Sequence, residues 1–320
     1  MAFGDSLGAK TEFMNIDQIL RRYPPNGPQE IEGNPALVTD DSQMALAVGE
    51  ALLDAERPYT ASTLEKPMRD SFIRWYRSPD NDRAPGMTCL TACGNLATGM
   101  QWQKATVENS KGCGANMRVQ PVGLLKDVSD VDRAAIAQFQ AALTHGHATG
   151  LAAADLTAKA IALIVDGVQP EDLVAALKDY AMSQRKVYHE DWLGDLWQRP
   201  MVDSAEDYIC RGWDECMVRL YRIETALEFS DPTADPCLVT GGGWIAEEAF
   251  ATGLLCYLLF PNDPVAAVRH AVVSSGDSDS IACLTGAFAG ARWGLDAWPQ
   301  DWVNRIEYKD RLDRLGAAWD

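Results

Sequence analysis

Apolar residues recur every third or fourth position through most of this chain, the spacing that lines up one face of an α-helix. Leu64, Met68, Phe72 and Tyr76 make one such row, behind a capping box read at Ser62 and Glu65, and Pro67 is expected to delay the regular helix by a turn. Ser129 is expected to cap a second helix carrying Val131, Ala135, Phe139 and Ala142 on one side. Pro170 followed by Glu171 and Asp172 reads as a helical first turn leading to Leu173, Leu177 and Tyr180. Residues 151–165 and 244–260 are apolar around most of the helical circumference, which predicts two central helices. No series of alternating positions joined by hairpin turns is found, so the expected class is all-α.

Four stretches interrupt the pattern and read as loops by their proline, glycine and aspartate content: 22–38, 78–87, 108–123 and 229–243. None has the Ser/Gly repetition of an interdomain linker, and no internal repeat is found, so residues 1–320 are expected to form a single domain. At 320 residues and 47% hydrophobic, the chain can bury a large core. It contains no uninterrupted apolar run of membrane-spanning length and no basic-then-apolar leader at Met1–Asp5, so a cytoplasmic location is expected. The eight cysteines show no CxxC pair and no zinc-type spacing and are expected to act mostly as small core residues. A formal charge of −18 argues against nucleic acid and anionic membranes as partners. It would also repel a phosphate-bearing substrate, so a site for one must supply its own positive potential.

The candidate chemistry lies where polar residues break into apolar helices. Thr39-Asp40-Asp41-Ser42 precedes Met44–Val48, and Gly276-Asp277-Ser278-Asp279-Ser280 precedes Ile281–Ala287. Capping explains either cluster taken alone, most readily the first. Neighbouring carboxylates raise each other's cost of ionisation, and hard divalent cations such as Mg²⁺ or Mn²⁺ would relieve it. If the fold joins the two clusters, they form a two-metal site.

Three further pieces stand out. Gly4-Asp5-Ser6-Leu7-Gly8 with Glu12 would, if helical, place Asp5, Gly8 and Glu12 on one face. Lys111-Gly112-Cys113-Gly114-Ala115-Asn116-Met117-Arg118 is a glycine-rich turn that can offer N–H groups to phosphate, or is a plain loop; its spacing is not that of a Walker loop. Thr144-His145-Gly146-His147 holds two of the four histidines, for which substrate hydrogen bonding or helix capping is a better reading than zinc ligation.

These pieces in this order resemble the ADP-ribosylglycohydrolase family, the relatives of the dinitrogenase reductase-activating glycohydrolase. Gly4–Ala9 with Glu12-Phe13, Thr39–Ser42, Arg83–Gly86, Gly112–Arg118, Thr144-His145, Gly243–Ala249 and Gly276–Ser280 all have counterparts there, across almost the whole chain. The resemblance implies a single-domain orthogonal helical bundle with two Mg²⁺ (or Mn²⁺) ions in a cleft. By position it implies Thr39, Asp40, Asp41, Asp277, Asp279 and Ser280 as metal ligands. Glu12 falls where the family keeps a glutamate near the metals and the scissile bond, and Asp41 and Asp277 join it as candidate catalytic residues. Gly112, Cys113, Gly114, Met117 and His145 fall where the ADP-ribose moiety is contacted. The chain departs from the pattern in its serines for threonines, in Cys113 where asparagine is usual, and in Ala148 where proline is common.

The implied reaction is removal of ADP-ribose from a modified protein, with arginine as the expected acceptor and serine as the rival. Asp80 and Asp82, in the 78–87 loop, are candidates to pair with the guanidinium on charge and position alone. The non-enzymatic alternatives are an ADP-ribose-binding module and an immunity protein that occludes an ADP-ribosyltransferase toxin.

Overall fold

A computed structural model describes residues 1–229, 231 and 233–319. Helices account for its regular structure; among the described residues the only β-pairing consists of isolated bridges, Ala36–Ile306, Val107–His145 and Gly112–Ile245. The all-α expectation therefore holds. One connected cluster of buried hydrophobic residues runs from Ala2 to Trp319 and draws on nearly every helix.

The centre of that cluster is formed by helices Ala148–Val165, Ala246–Leu259 and Ser278–Trp293, the first two as the all-round apolar stretches predicted. The Ala148–Val165 helix has a mean hydropathy of 1.6 over 18 residues, long and apolar enough to cross a bilayer, yet 83% of it is buried inside the protein. It is a core helix, apolar on all sides because helices surround it.

The site depends on how the first helix, Ala2–Gly8, packs on Ser278–Trp293. A Cβ at Gly4 would lie 1.9 Å from the Ala282 carbonyl oxygen, and one at Gly8 would lie 2.5 Å from that of Ser278. Only glycine permits this backbone contact. The turn that follows is sealed by Thr11, whose hydroxyl lies 2.8 Å from the Val272 carbonyl and 2.9 Å from Ser278 Oγ. The first helix and the second acidic motif, distant in sequence, are thus joined.

Several local expectations shift. Residues 61–76 form a helix that runs through Pro67, and its capping box is Thr60 with Thr63 rather than Ser62 with Glu65. Leu64, Met68 and Phe72 are buried, but the row ends on Trp75, and Tyr76 is exposed. Ser129 caps Asp130–Ala142 as expected, with Val131 turned to solvent. Pro170 opens Pro170–Gln184. Two of the expected loops contain single turns of helix, Gln120–Gly123 and Cys237–Thr240.

Candidate active site

The Asp40–Asp54 helix begins at Thr39, whose hydroxyl accepts a weak bond from Asp41 N–H at 3.3 Å. The remaining capping is supplied from another helix. The buried carboxylate of Asp5 accepts from Thr39 N–H (3.0 Å), Thr39 O–H (2.8 Å) and Ser42 N–H (3.0 Å). Asp5 thus satisfies N–H groups that Asp40 and Asp41 would otherwise compete for. Those two side chains turn into a cleft instead. Asp40 Oδ2 accepts a long bond from Gly86 N–H at 3.4 Å, and Asp41 Oδ2 is buried with no partner among the described residues.

The second motif meets them there. Asp277 precedes the Ser278–Trp293 helix without capping it through its side chain, and accepts from the Cys113 thiol at 3.0 Å. Asp279 accepts from Ser280 N–H at 3.0 Å. Glu12, in the turn after the first helix, approaches both acids: carboxylate oxygens of Glu12, Asp277 and Asp279 lie within 4.8 Å of one another. The expected helical face shared by Asp5 and Glu12 does not form. The helix ends at Gly8, and the turn carries Glu12 toward Asp279 while Asp5 faces Thr39.

The cleft has a volume of about 300 Å³ and is lined by Glu12, Asp40, Asp41, Asp277 and Asp279, with Ser280, the Gly112–Gly114 loop, Met117 and His145. No lysine or arginine is among the described residues that line it. Burial, reinforced by the charge of Asp279, pushes the carboxyl of Glu12 up to about 9 and that of Asp5 up to about 6. The same causes hold Asp40, Asp41 and Asp277 well above the usual carboxylate range. Acids at such spacing cannot all ionise without a counter-charge. A buried carboxylate oxygen left without a donor, facing four other acids, belongs to a donor set suited to hard divalent cations.

The other expected residues take varied places. Thr39 is beside the cleft rather than among its lining residues, and its hydroxyl is engaged by Asp5. Asp80 and Asp82 are also outside the lining; Asp80 accepts from Tyr308 O–H at 3.0 Å and Asp82 lies 3.9 Å from Arg83. Their loop is latched by Arg83, which bonds Glu307 Oε1 at 3.0 Å.

The glycine-rich loop enters a three-residue 3₁₀ turn, Cys113–Ala115, instead of a long helix. Its N–H groups are partly occupied: Cys113 N–H donates to the Trp244 carbonyl at 3.2 Å, and Gly112 N–H to Ser110 Oγ at 3.4 Å. Lys111 is turned from the cleft and bonds Glu215 at 2.5 Å and Glu247 at 2.7 Å. Neither a helix dipole nor a lysine therefore supplies positive potential from this loop. Burial pushes the Cys113 thiol up, and the charges of Asp277 and Asp41 push it further, which keeps it a donor toward Asp277. His147 caps the Ala148–Val165 helix, accepting from Thr149 N–H at 3.2 Å, while His145 is buried and presents an edge to the cleft.

Two contributors escape the sequence reading. Asp5 is visible there only within its motif, because nothing local reveals that it faces a helix start 34 residues away. Phe13 and Trp244 stack at the cleft rim with centroids 5.5 Å apart and planes 20° from parallel, both substantially exposed. An exposed aromatic pair at a mouth offers a flat apolar face to a ligand ring. Both residues fall within motifs that carry the family resemblance, but nothing in the sequence pairs them or marks them as a rim.

The chain is similar to known proteins along almost its whole length. Human ADP-ribosylhydrolase ARH3 is 28% identical over 344 residues, covering 98% of this chain and 89% of that protein. The ADP-ribosyl-[dinitrogen reductase] glycohydrolase of Rhodospirillum rubrum is 23% identical over 97% of this chain and 88% of its own length. The ADP-ribosylarginine hydrolase Tri1 of Pseudomonas putida (strain GB-1) is 21% identical over 98% and 74%. A solved structure titled ADP-ribosylglycohydrolase-related protein complex shares the fold, with a TM-score of 0.67 at 24% identity over 99% of this chain and 93% of that one. The ADP-ribosylglycohydrolase profile matches residues 1–319, and with the acids of both end motifs gathered in one cleft, the chain belongs to the ADP-ribosylglycohydrolase family.

Proposed function

We propose that this protein hydrolyses the N-glycosidic bond between C1″ of ADP-ribose and the guanidinium of a modified arginine, with a pair of Mg²⁺ or Mn²⁺ ions in the acidic cleft. The observation that carries the reading is the convergence of Glu12, Asp40, Asp41, Asp277 and Asp279 on one cavity, with no basic residue among its described lining and with Asp41 Oδ2 lacking a donor there. Asp40, Asp41, Asp277 and Asp279 would hold the ions, with Ser280 supplying a hydroxyl and Thr39 at the edge of the set. Bound there, the ions would neutralise the cluster and polarise the hydroxyls of the distal ribose.

The protein's own groups then divide the work. Glu12 is the least buried of the five acids and orients the attacking water, accepting its proton at Oε. Water oxygen bonds to C1″ as the C1″–N bond breaks, and the released guanidine takes up the proton that Glu12 removed from the water, which returns Glu12 to its ionised form. Carboxylate charge around the sugar stabilises the oxocarbenium character developing at C1″. Phe13 and Trp244 would guide the ligand at the rim. Arginine is the acceptor we propose, in keeping with the similarity to an ADP-ribosylarginine hydrolase, and serine is the rival that the assay below separates from it.

The test is release of ADP-ribose from arginine- and serine-modified peptides by the purified protein with Mg²⁺ or Mn²⁺. Release from arginine, abolished by chelator, is expected. Release from serine alone would overturn the acceptor, and full activity in excess chelator would overturn the metal requirement.

A further inference from the structure

Behind the cleft lies a guanidinium that no described acid pairs with. Arg118 is wholly buried. It donates from Nε to Gln140 Oε1 (2.8 Å), from Nη2 to the Gln140 carbonyl (2.8 Å), and from Nη2 to Thr144 Oγ1 (2.8 Å), while its guanidinium carbon lies 4.3 Å from the centre of the Phe72 ring. Gln140 is itself fixed, because its amide donates to the Ala115 carbonyl at 2.9 Å. Thr144 Oγ1 lies 2.8 Å from His145 Nδ1.

The direction of that last bond follows from counting donors. Arginine only donates, so Thr144 Oγ1 accepts from Arg118 and keeps one proton to give. It has two destinations: the Ala141 carbonyl at 3.4 Å, or His145 Nδ1 at 2.8 Å. The Ala141 carbonyl already accepts from Thr144 N–H at 3.0 Å and His145 N–H at 2.8 Å. The short and open acceptor is Nδ1, so the ring carries its proton on Nε2. No hydrogen bond from the described residues engages Nε2, and His145 lines the cleft beside Gly112 and Gly114. A side chain is excluded at Gly114, where a Cβ would lie 2.7 Å from Cys89 Sγ and 3.3 Å from Nε2.

We infer that Arg118 and Thr144 form a relay that locks His145, which the family resemblance already sets against the ADP-ribose moiety, as its Nε2–H tautomer, so that the ring meets an oxygen of that ligand as a donor. Arg118 and Thr144 are positioning residues; His145 alone meets the ligand. Burial and then the Arg118 charge hold the imidazole well below its ordinary range, in keeping with a ring that stays uncharged. The relay would answer the shortage of cationic side chains in the cleft lining with one oriented neutral donor. Its ligand half rests on the activity proposed above, whereas its tautomer half does not.

The experiment uses the full chain labelled with ¹⁵N-histidine and long-range ¹H–¹⁵N correlation spectra, His145 being assigned by the signals that His145→Gln removes or Thr144→Ser shifts. Nδ1 is expected to resonate as an unprotonated nitrogen and Nε2 as a protonated one. Addition of ADP-ribose with Mg²⁺ should move the Nε2–H signal. Thr144→Val should mix the tautomers and weaken ADP-ribose binding about tenfold, the size of one hydrogen bond to a charged ligand, with kcat changed less than KM. Thr144→Ser should restore both. A protonated Nδ1 in the unaltered protein, or an unchanged tautomer in Thr144→Val, overturns the relay. The Nε2–H tautomer with no response to bound ADP-ribose overturns the donor role and leaves the relay standing, and the hydrolysis assay reports on the activity separately.

Discussion

Asp41 and Asp155 are the same residue type at nearly the same burial, 2% and 1% exposed, and they have opposite fates. Asp155 sits in the core helix Ala148–Val165 with both oxygens satisfied, Oδ1 by Tyr180 O–H at 2.6 Å and Oδ2 by Gln138 Nε2 at 2.9 Å. Asp41 keeps one oxygen without a partner among the described residues and shares its cavity with four other acids. Burial is the leading cause of the upward shift at both sites. The difference lies in closure. Asp155 finds its donors inside the protein, whereas Asp41, on the proposed reading, is left to be satisfied by a ligand.

Exchanging the two acids for neutral residues breaks this contrast most directly. Asp41→Asn should lower kcat/KM by at least about 100-fold while the metal-free protein melts no earlier than the parent, because a like charge has been removed. Asp155→Ala should do the reverse, leaving kcat/KM near its parent value and costing about 2–4 kcal/mol of stability through the stranded Tyr180 hydroxyl and Gln138 amide, read by denaturant unfolding. If Asp155→Ala abolished turnover in a still-folded protein, the division would collapse.

Asp5 sharpens the comparison, being a buried acid satisfied by a neighbouring helix start. Asp5→Asn should weaken divalent-ion binding about 10- to 100-fold by loosening the turn that aims Asp40 and Asp41, measured by titration calorimetry. The smallest effect concerns pH. Glu12 rises from 4.5 to about 9 and Asp5 from 3.8 to about 6 on folding. A folded state that binds more protons than the unfolded one loses stability as pH rises between the two values. The melting temperature of the metal-free protein should therefore fall between about pH 4 and 9 through these groups, most clearly as a difference from the metal-loaded protein. A metal-loaded and a metal-free curve that ran parallel would count against the shared acidic site.

Much of this is legible in the chain. Periodicity locates the central helices because they are long and apolar all round, and the two acidic clusters stand out because each packs carboxylates and a hydroxyl into a few residues that run straight into an apolar segment. Periodicity fails at element ends. Thr60 rather than Ser62 caps its helix, and Tyr76 and Val131 face solvent, since a few tens of degrees of rotation decide the edge of a helical face. Capping is the simplest reading of Asp40 and Asp41 because the competing cap, Asp5, is remote in sequence. The Arg118–Thr144–His145 relay is equally invisible: each residue is in view, but only the folded loop sets their oxygens and nitrogens 2.8 Å apart.

The glycine-on-backbone contact between the first helix and Ser278–Trp293 has a consequence for synthesis. Glu12 and Asp279 cannot meet until most of the polypeptide has left the ribosome. A nascent chain, however well its early helices fold, lacks the assembled acidic cleft, and a prematurely terminated one never acquires it. On the proposed reading, ion capture would wait until late in translation, and a fragment that stops short of Asp279 would lack one or both of the acids that the second motif brings to the cleft.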